Sequence, residues 1–115
     1  MAITIDDERL DAVFAALADR TRRGIVARLS EGEATVTELA APHAMSLQAV
    51  SQHIGVLERC GLVSRGRQRQ TRPCRLEPQA LEAAVSWIEE SRRAWTERMD
   101  RLEAHLTRLQ DGEQP

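Results

Sequence analysis

"SLQAVSQHIGVLERCGLVSRGRQRQTRPCRL" runs from Ser46 to Leu76, and two patterns within it decide the fold. In its first half Leu47, Val50, Ile54 and Leu57 recur at 3-4-3 spacing, which places them on one face of a helix. Ser46 suits the N-cap of that helix, and Gly61, after Cys60, suits its stop. Gln48, Gln52, Gly55 and Arg59 fall on the opposite side, with Ser51 beside them. The second half, from Leu62, predicts a two-stranded ribbon turning near Arg67 to Gln70, with Pro73 confining the second strand to an edge.

Toward the N-terminus, Leu10, Val13, Phe14 and Leu17 predict a first helix over residues 7–17. Asp19 caps a second helix with Ile25, Val26 and Leu29 inward and Gly32 as its stop. "ATV" (34–36) reads as a three-residue strand, and Thr37 as the cap of a short helix ended by Pro42. Beyond the ribbon, a last helix of about thirty residues starts at Pro78 and spans about 45 Å. Along it Leu81, Val85, Ile88, Arg92, Trp95, Met99, Leu102, Leu106 and Leu109 repeat at 4-3-4-3 spacing, a heptad seam longer than a domain of this size can cover. The order predicts a mainly α fold: a winged helix-turn-helix with a small β-hairpin wing and flanking N- and C-terminal helices. It forms a single domain over 1–115, with a core at 10–77 and a C-terminal helix at 78–110.

Charge is unevenly placed. The chain carries a net charge of -2, yet residues 59–75 hold Arg59, Arg65, Arg67, Arg69, Arg72 and Arg75 with no acid. Screening confines fields to about 8 Å at physiological salt, so a net-acidic chain with one basic surface can bind nucleic acid. Two exposed amides and a hydroxyl near a helix start suit base edges, because Gln can pair with adenine through two bonds. The neighbouring arginines suit phosphates or a narrow minor groove. The candidate DNA contacts are therefore Ser46, Gln48, Ala49, Ser51, Gln52 and His53 on the helix, and Arg65, Arg67, Gln68, Arg69 and Arg72 on the wing.

The pieces "ALADRTRRGIVARL", "TVTELA", "S..AVSQHI..LE..GLV" and the "GR" of the hairpin, in this order over about residues 10–77, resemble the ArsR-type winged-helix repressors. The resemblance implies a homodimeric repressor, released from an inverted-repeat operator in double-stranded DNA by an inducer that the chain does not identify. It also implies a dimer made by the first and last helices, here through Leu10, Val13, Phe14, Val85, Ile88, Trp95, Met99, Leu102 and Leu106. This chain departs from the family where Lys or Arg is common, at Gln52 and Gly55, which leaves more of the phosphate contact to the wing.

No catalytic, cofactor or metal site is expected. The third-helix region lacks cysteine, and His43, His53 and His105 lie in separate elements; the close of the last helix, "RRAWTERMDRLEAHL", further resembles a branch of the ArsR-type regulators without recognisable metal-site motifs. Cys60 and Cys74 read as inert thiols, with a helix-to-wing disulfide switch as the alternative. A protein-interaction module built on the long helix is the alternative from another class. With no apolar run near the roughly 20 residues of a membrane span and no signal-peptide pattern, a cytoplasmic location is expected.

Overall fold

Each of the first four helices begins with a side chain that accepts an amide of its own first turn. The computed structural model describes residues 6–66 and 72–112. Asp6 caps α1 (Asp7–Leu17), Asp19 caps α2 (Arg20–Leu29), Thr35 caps α3 (Val36–Ala40) and Ser46 caps α4 (Leu47–Arg59). Such caps satisfy amides that have no partner within the helix. The cap of α3 differs from expectation. Thr35, not Thr37, takes the position, because only Thr35 has Glu38 three residues on to complete a reciprocal capping box.

After α4, Cys60 closes the helix and Gly61 turns the chain out at φ 84°, with the Arg9 side chain packed where a Cβ would stand. β1 (Val63–Arg65) then pairs antiparallel with β2 (Cys74–Leu76), Arg65 opposite Cys74. The strand expected at residues 34–36 shrinks to one bridge, Ala34 to Cys74, with amide–carbonyl bonds of 3.1 and 2.7 Å. The reason is local: Thr35 is already committed as a helix cap, so the backbone leaves the ladder after one residue. That bridge also gives Cys74 partners on both sides, so the strand after Pro73 is not the simple edge that its proline suggested.

The chain divides into two compact units, Met1–Ala84 and Val85–Pro115. The core of the first is aliphatic. Val13, Ile25, Leu39, Val50, Ile54, Leu57, Leu62 and Cys74 are fully buried at its centre, each large side chain contributing about 1.5–3 kcal/mol of transfer free energy. Val13 was expected at a dimer surface; at 0% exposure it is spent inside its own chain. Leu10 and Phe14 are half-buried and pack against the same core. Leu47 departs the other way. Expected on the inward face with Val50, it is 52% exposed, because the core closes around Val50, Ile54 and Leu57 and the first helical residue lies outside it.

α5 (Pro78–Gln110) opens with a proline, tolerated where no intrahelical amide bond is needed. Its first turns bury Ala80, Ala83 and Ala84. In the second unit the helix leaves Val85, Ile88, Trp95, Met99, Leu102, Leu106 and Leu109 exposed, Trp95 to 63%. No helix among the described residues is long and apolar enough to cross a membrane.

Candidate nucleic-acid interface

The site is built on α4. The Ser46 hydroxyl oxygen accepts from the Ala49 amide at 3.1 Å, which fixes the first turn. Three apolar side chains then anchor the inward face, and Gln48 and Gln52, one turn apart, stand exposed on the other. Ala49 is half-buried and adds no polar group.

Not every expected contact points outward. His53 turns toward α2, where Arg22 donates to its Nδ1 at 3.3 Å and the Asp19 carboxylate lies 3.9 Å away. Asp19 itself accepts from the Arg22 amide, and that bond, with the charge of Arg22, holds its carboxyl below the ordinary value of 3.8. His53 thus ties α4 to α2 instead of standing free on the outer face.

Arg65 is likewise engaged. Its Nε donates to Glu58 at 2.9 Å and its Nη2 to the Ser51 hydroxyl at 3.4 Å, leaving the Arg65 side chain 18% exposed. One guanidinium therefore joins β1 to the outer side of α4. Arg72 is exposed and holds φ 29°, unusual for a residue with a side chain. Arg67, Gln68 and Arg69 lie outside the described residues. Arg75 sits back on the body, 3.9 Å from Glu33. The Arg59 guanidinium folds over Gly55, where an added Cβ would meet it at 3.4 Å. At the root of the wing Gly66 packs on the Pro73 ring and donates its amide to the Pro73 carbonyl at 2.8 Å.

Sequence reasoning missed the work of Arg22 and Arg23. Arg22 donates to the carbonyls of Ala16 (2.6 Å) and Ala15 (3.3 Å), and Arg23 to that of Leu17 (2.9 Å). α1 has no basic residue in its own last turn, so α2 supplies the cations that its terminal carbonyls need. The signal was present: a dense "RTRR" immediately after a predicted helix end. Both cysteines are buried and free, and burial pushes the Cys74 thiol up, which disfavours the reactive thiolate. Among the described residues no group of three His, Cys, Asp or Glu converges on a metal-sized position.

Comparison with known proteins agrees with this geometry. Residues 17–65 match the family model described as a helix-turn-helix domain. The HTH-type transcriptional regulator Rv2034 of Mycobacterium tuberculosis is 41% identical over 86 residues, 75% of this chain and 78% of that protein. The arsenical resistance operon repressor of Escherichia coli is 34% identical over 97 residues, 84% and 83% of the two chains. Among solved structures, a crystal structure of an ArsR family transcriptional regulator superposes with a TM-score of 0.73 at 40% identity, covering 84% of this chain and 97% of that one.

Proposed function

Because the chain belongs to the ArsR family of DNA-binding helix-turn-helix transcriptional regulators, we propose that it is a cytoplasmic homodimeric repressor whose α4 reads an inverted-repeat operator. The observation that carries this is the outer face of α4: Gln48 and Gln52 exposed in its first two turns, on a helix whose inward face is locked into the core. Recognition helices meet bases through their N-terminal turns, and Gln offers the paired donor and acceptor that adenine matches. The wing supplies charge. Arg72, with Arg67 and Arg69 of the same basic segment, contacts phosphate, while Arg65 positions the Ser51 hydroxyl.

Homodimerisation is supported by the apolar stripe on α5. Family members often act as homodimers, and seven large apolar side chains left exposed at near-heptad spacing match what a second copy of the same helix would cover. Two-fold symmetry then sets two copies of α4 roughly 34 Å apart, one helical turn of DNA, on the two half-sites.

The test is titration of wild-type and variants against selected and scrambled duplexes at several salt concentrations. Gln48→Ala and Gln52→Ala are expected to weaken specific binding by about 1–3 kcal/mol per paired contact and to leave non-specific binding nearly unchanged. Arg67→Ala, Arg69→Ala and Arg72→Ala are expected to weaken binding to both duplexes, each lowering the log–log salt slope by about 0.9 per lost phosphate contact. Equal losses on both duplexes for the glutamine variants would remove α4 as the reader.

A further inference from the structure

Leu47 is the first residue of α4, and its side chain is half exposed although the spacing of its helix assigns it to the core face. It shares a turn with Gln48, and the Ser46 cap on the Ala49 amide fixes that turn's backbone. On the other side of Ser46, Met45 is also partly exposed and receives the Thr21 hydroxyl on its sulfur at 3.8 Å, which holds it against α2. An exposed apolar side chain thus immediately precedes the exposed Gln48 in the first turn of α4, the end of the helix that would enter a groove first. Leucine can neither donate nor accept a hydrogen bond, so no phosphate oxygen and no polar base edge is its partner. The major groove presents one apolar feature, the C5 methyl of thymine.

We propose that Leu47 is a specificity residue of this regulator and recognises thymine in each half-site by packing on its C5 methyl. The proposal rests on the assignment of α4 as the reading helix. It adds a preference that the two glutamines do not provide, since an amide paired with adenine is indifferent to the methyl on the opposite strand.

The experiment first selects the preferred duplex from a random pool with the full-length protein. Each thymine of a half-site is then replaced singly by deoxyuridine, which removes only the methyl and keeps the base pair. At one or two thymines the wild-type is expected to lose affinity about fourfold, the factor equivalent to about 0.8 kcal/mol for one methyl-sized group buried. Leu47→Ala is expected to bind the two duplexes equally at those positions, while Leu47→Met, which keeps an apolar reach, retains the discrimination. Because Leu47 lies outside the core, both variants should melt close to the wild-type temperature, and circular dichroism checks this. A wild-type indifferent to every uracil, or a uracil penalty that persists in Leu47→Ala, overturns the proposal and leaves α4 as the reader. A selection that recovers no preferred sequence removes the role of α4, and with it that of Leu47.

Discussion

The Glu58 carboxylate accepts from Arg65 at 2.9 Å, so the last turn of α4 and the first strand of the wing are joined by a charge-assisted bond. The pair is partly exposed, which limits its worth to about 0.2–1 kcal/mol. A double-mutant cycle of Glu58→Gln and Arg65→Gln, read by urea unfolding, is expected to give a coupling energy in that range. Glu58→Gln alone removes a negative charge beside the wing and frees Arg65, so its binding to non-specific duplex should tighten. A coupling energy of zero would mean that the bond orients nothing.

Arg22 serves three partners at once: two carbonyls at the end of α1 and the ring of His53. Hydrogen bonds from a charged donor contribute about 1.5–3 kcal/mol, and truncation also takes from the Ala16 carbonyl its Arg22 donor, while Ala15 keeps the Ala18 amide. Arg22→Ala is therefore expected to lower stability by about 2 kcal/mol, partial exposure included. Arg22→Lys should recover only part of it, because an ammonium lacks the planar fork that spans the three acceptors. Full recovery with lysine, by thermal or urea unfolding, would show that charge alone matters.

A single acid in the α5 stripe should separate the proposed dimer. Trp95→Glu and Leu102→Glu each set an unpaired charge among apolar side chains that a partner would desolvate. Sedimentation equilibrium at micromolar concentration is expected to find a wild-type dimer and monomeric variants that keep their helical circular dichroism. A monomeric wild-type would remove the symmetric operator along with the dimer.

Two helix caps predict how stability depends on pH. Amide bonds within the first turns hold the carboxyls of Asp19 and Glu38 below their ordinary values of 3.8 and 4.5. A carboxyl depressed by folding stabilises the native state above its unfolded value, and that contribution is lost as pH falls through the folded value. The urea midpoint should therefore be flat with respect to these two groups above about pH 5 and decline below about pH 4.5. Asp19→Asn and Glu38→Gln should each make the decline shallower. An unchanged acid limb in both variants would show that the caps do not form in solution.

Most of the helix-turn-helix could be read from local chemistry, because the spacing of Val50, Ile54 and Leu57 and the caps at Asp19 and Ser46 are decided within a few residues of chain. What was not legible depended on which of two equivalent residues a longer-range event selects. Thr35 and Thr37 are equally good caps in isolation, and only the partnership with Glu38 separates them. Leu47 and Val50 share a helical stripe, but periodicity carries no information about where along the axis the core ends. His53 sat among candidate DNA contacts until α2 was packed beside it, and Val13 among candidate dimer contacts until the core closed over it. The arginines of α2 were legible as charge but not as caps, since their acceptors belong to another helix.

The caps of α1 to α4 also bear on the route by which the chain folds. Each is a contact spanning three residues, available to an otherwise unfolded chain, so the helix starts are marked before distant segments meet. The Ala34–Cys74 bridge is the opposite case, closing a loop that contains α3, α4 and the wing, and loop closure of that size must be met by entropy before any contact rewards it. A folding route in which the helices form before Cys74 is seated between Arg65 and Ala34 makes a kinetic prediction. On that order of events, substitutions at Ala34 and a lost cap at Asp6 should both slow refolding and leave the unfolding rate nearly unchanged.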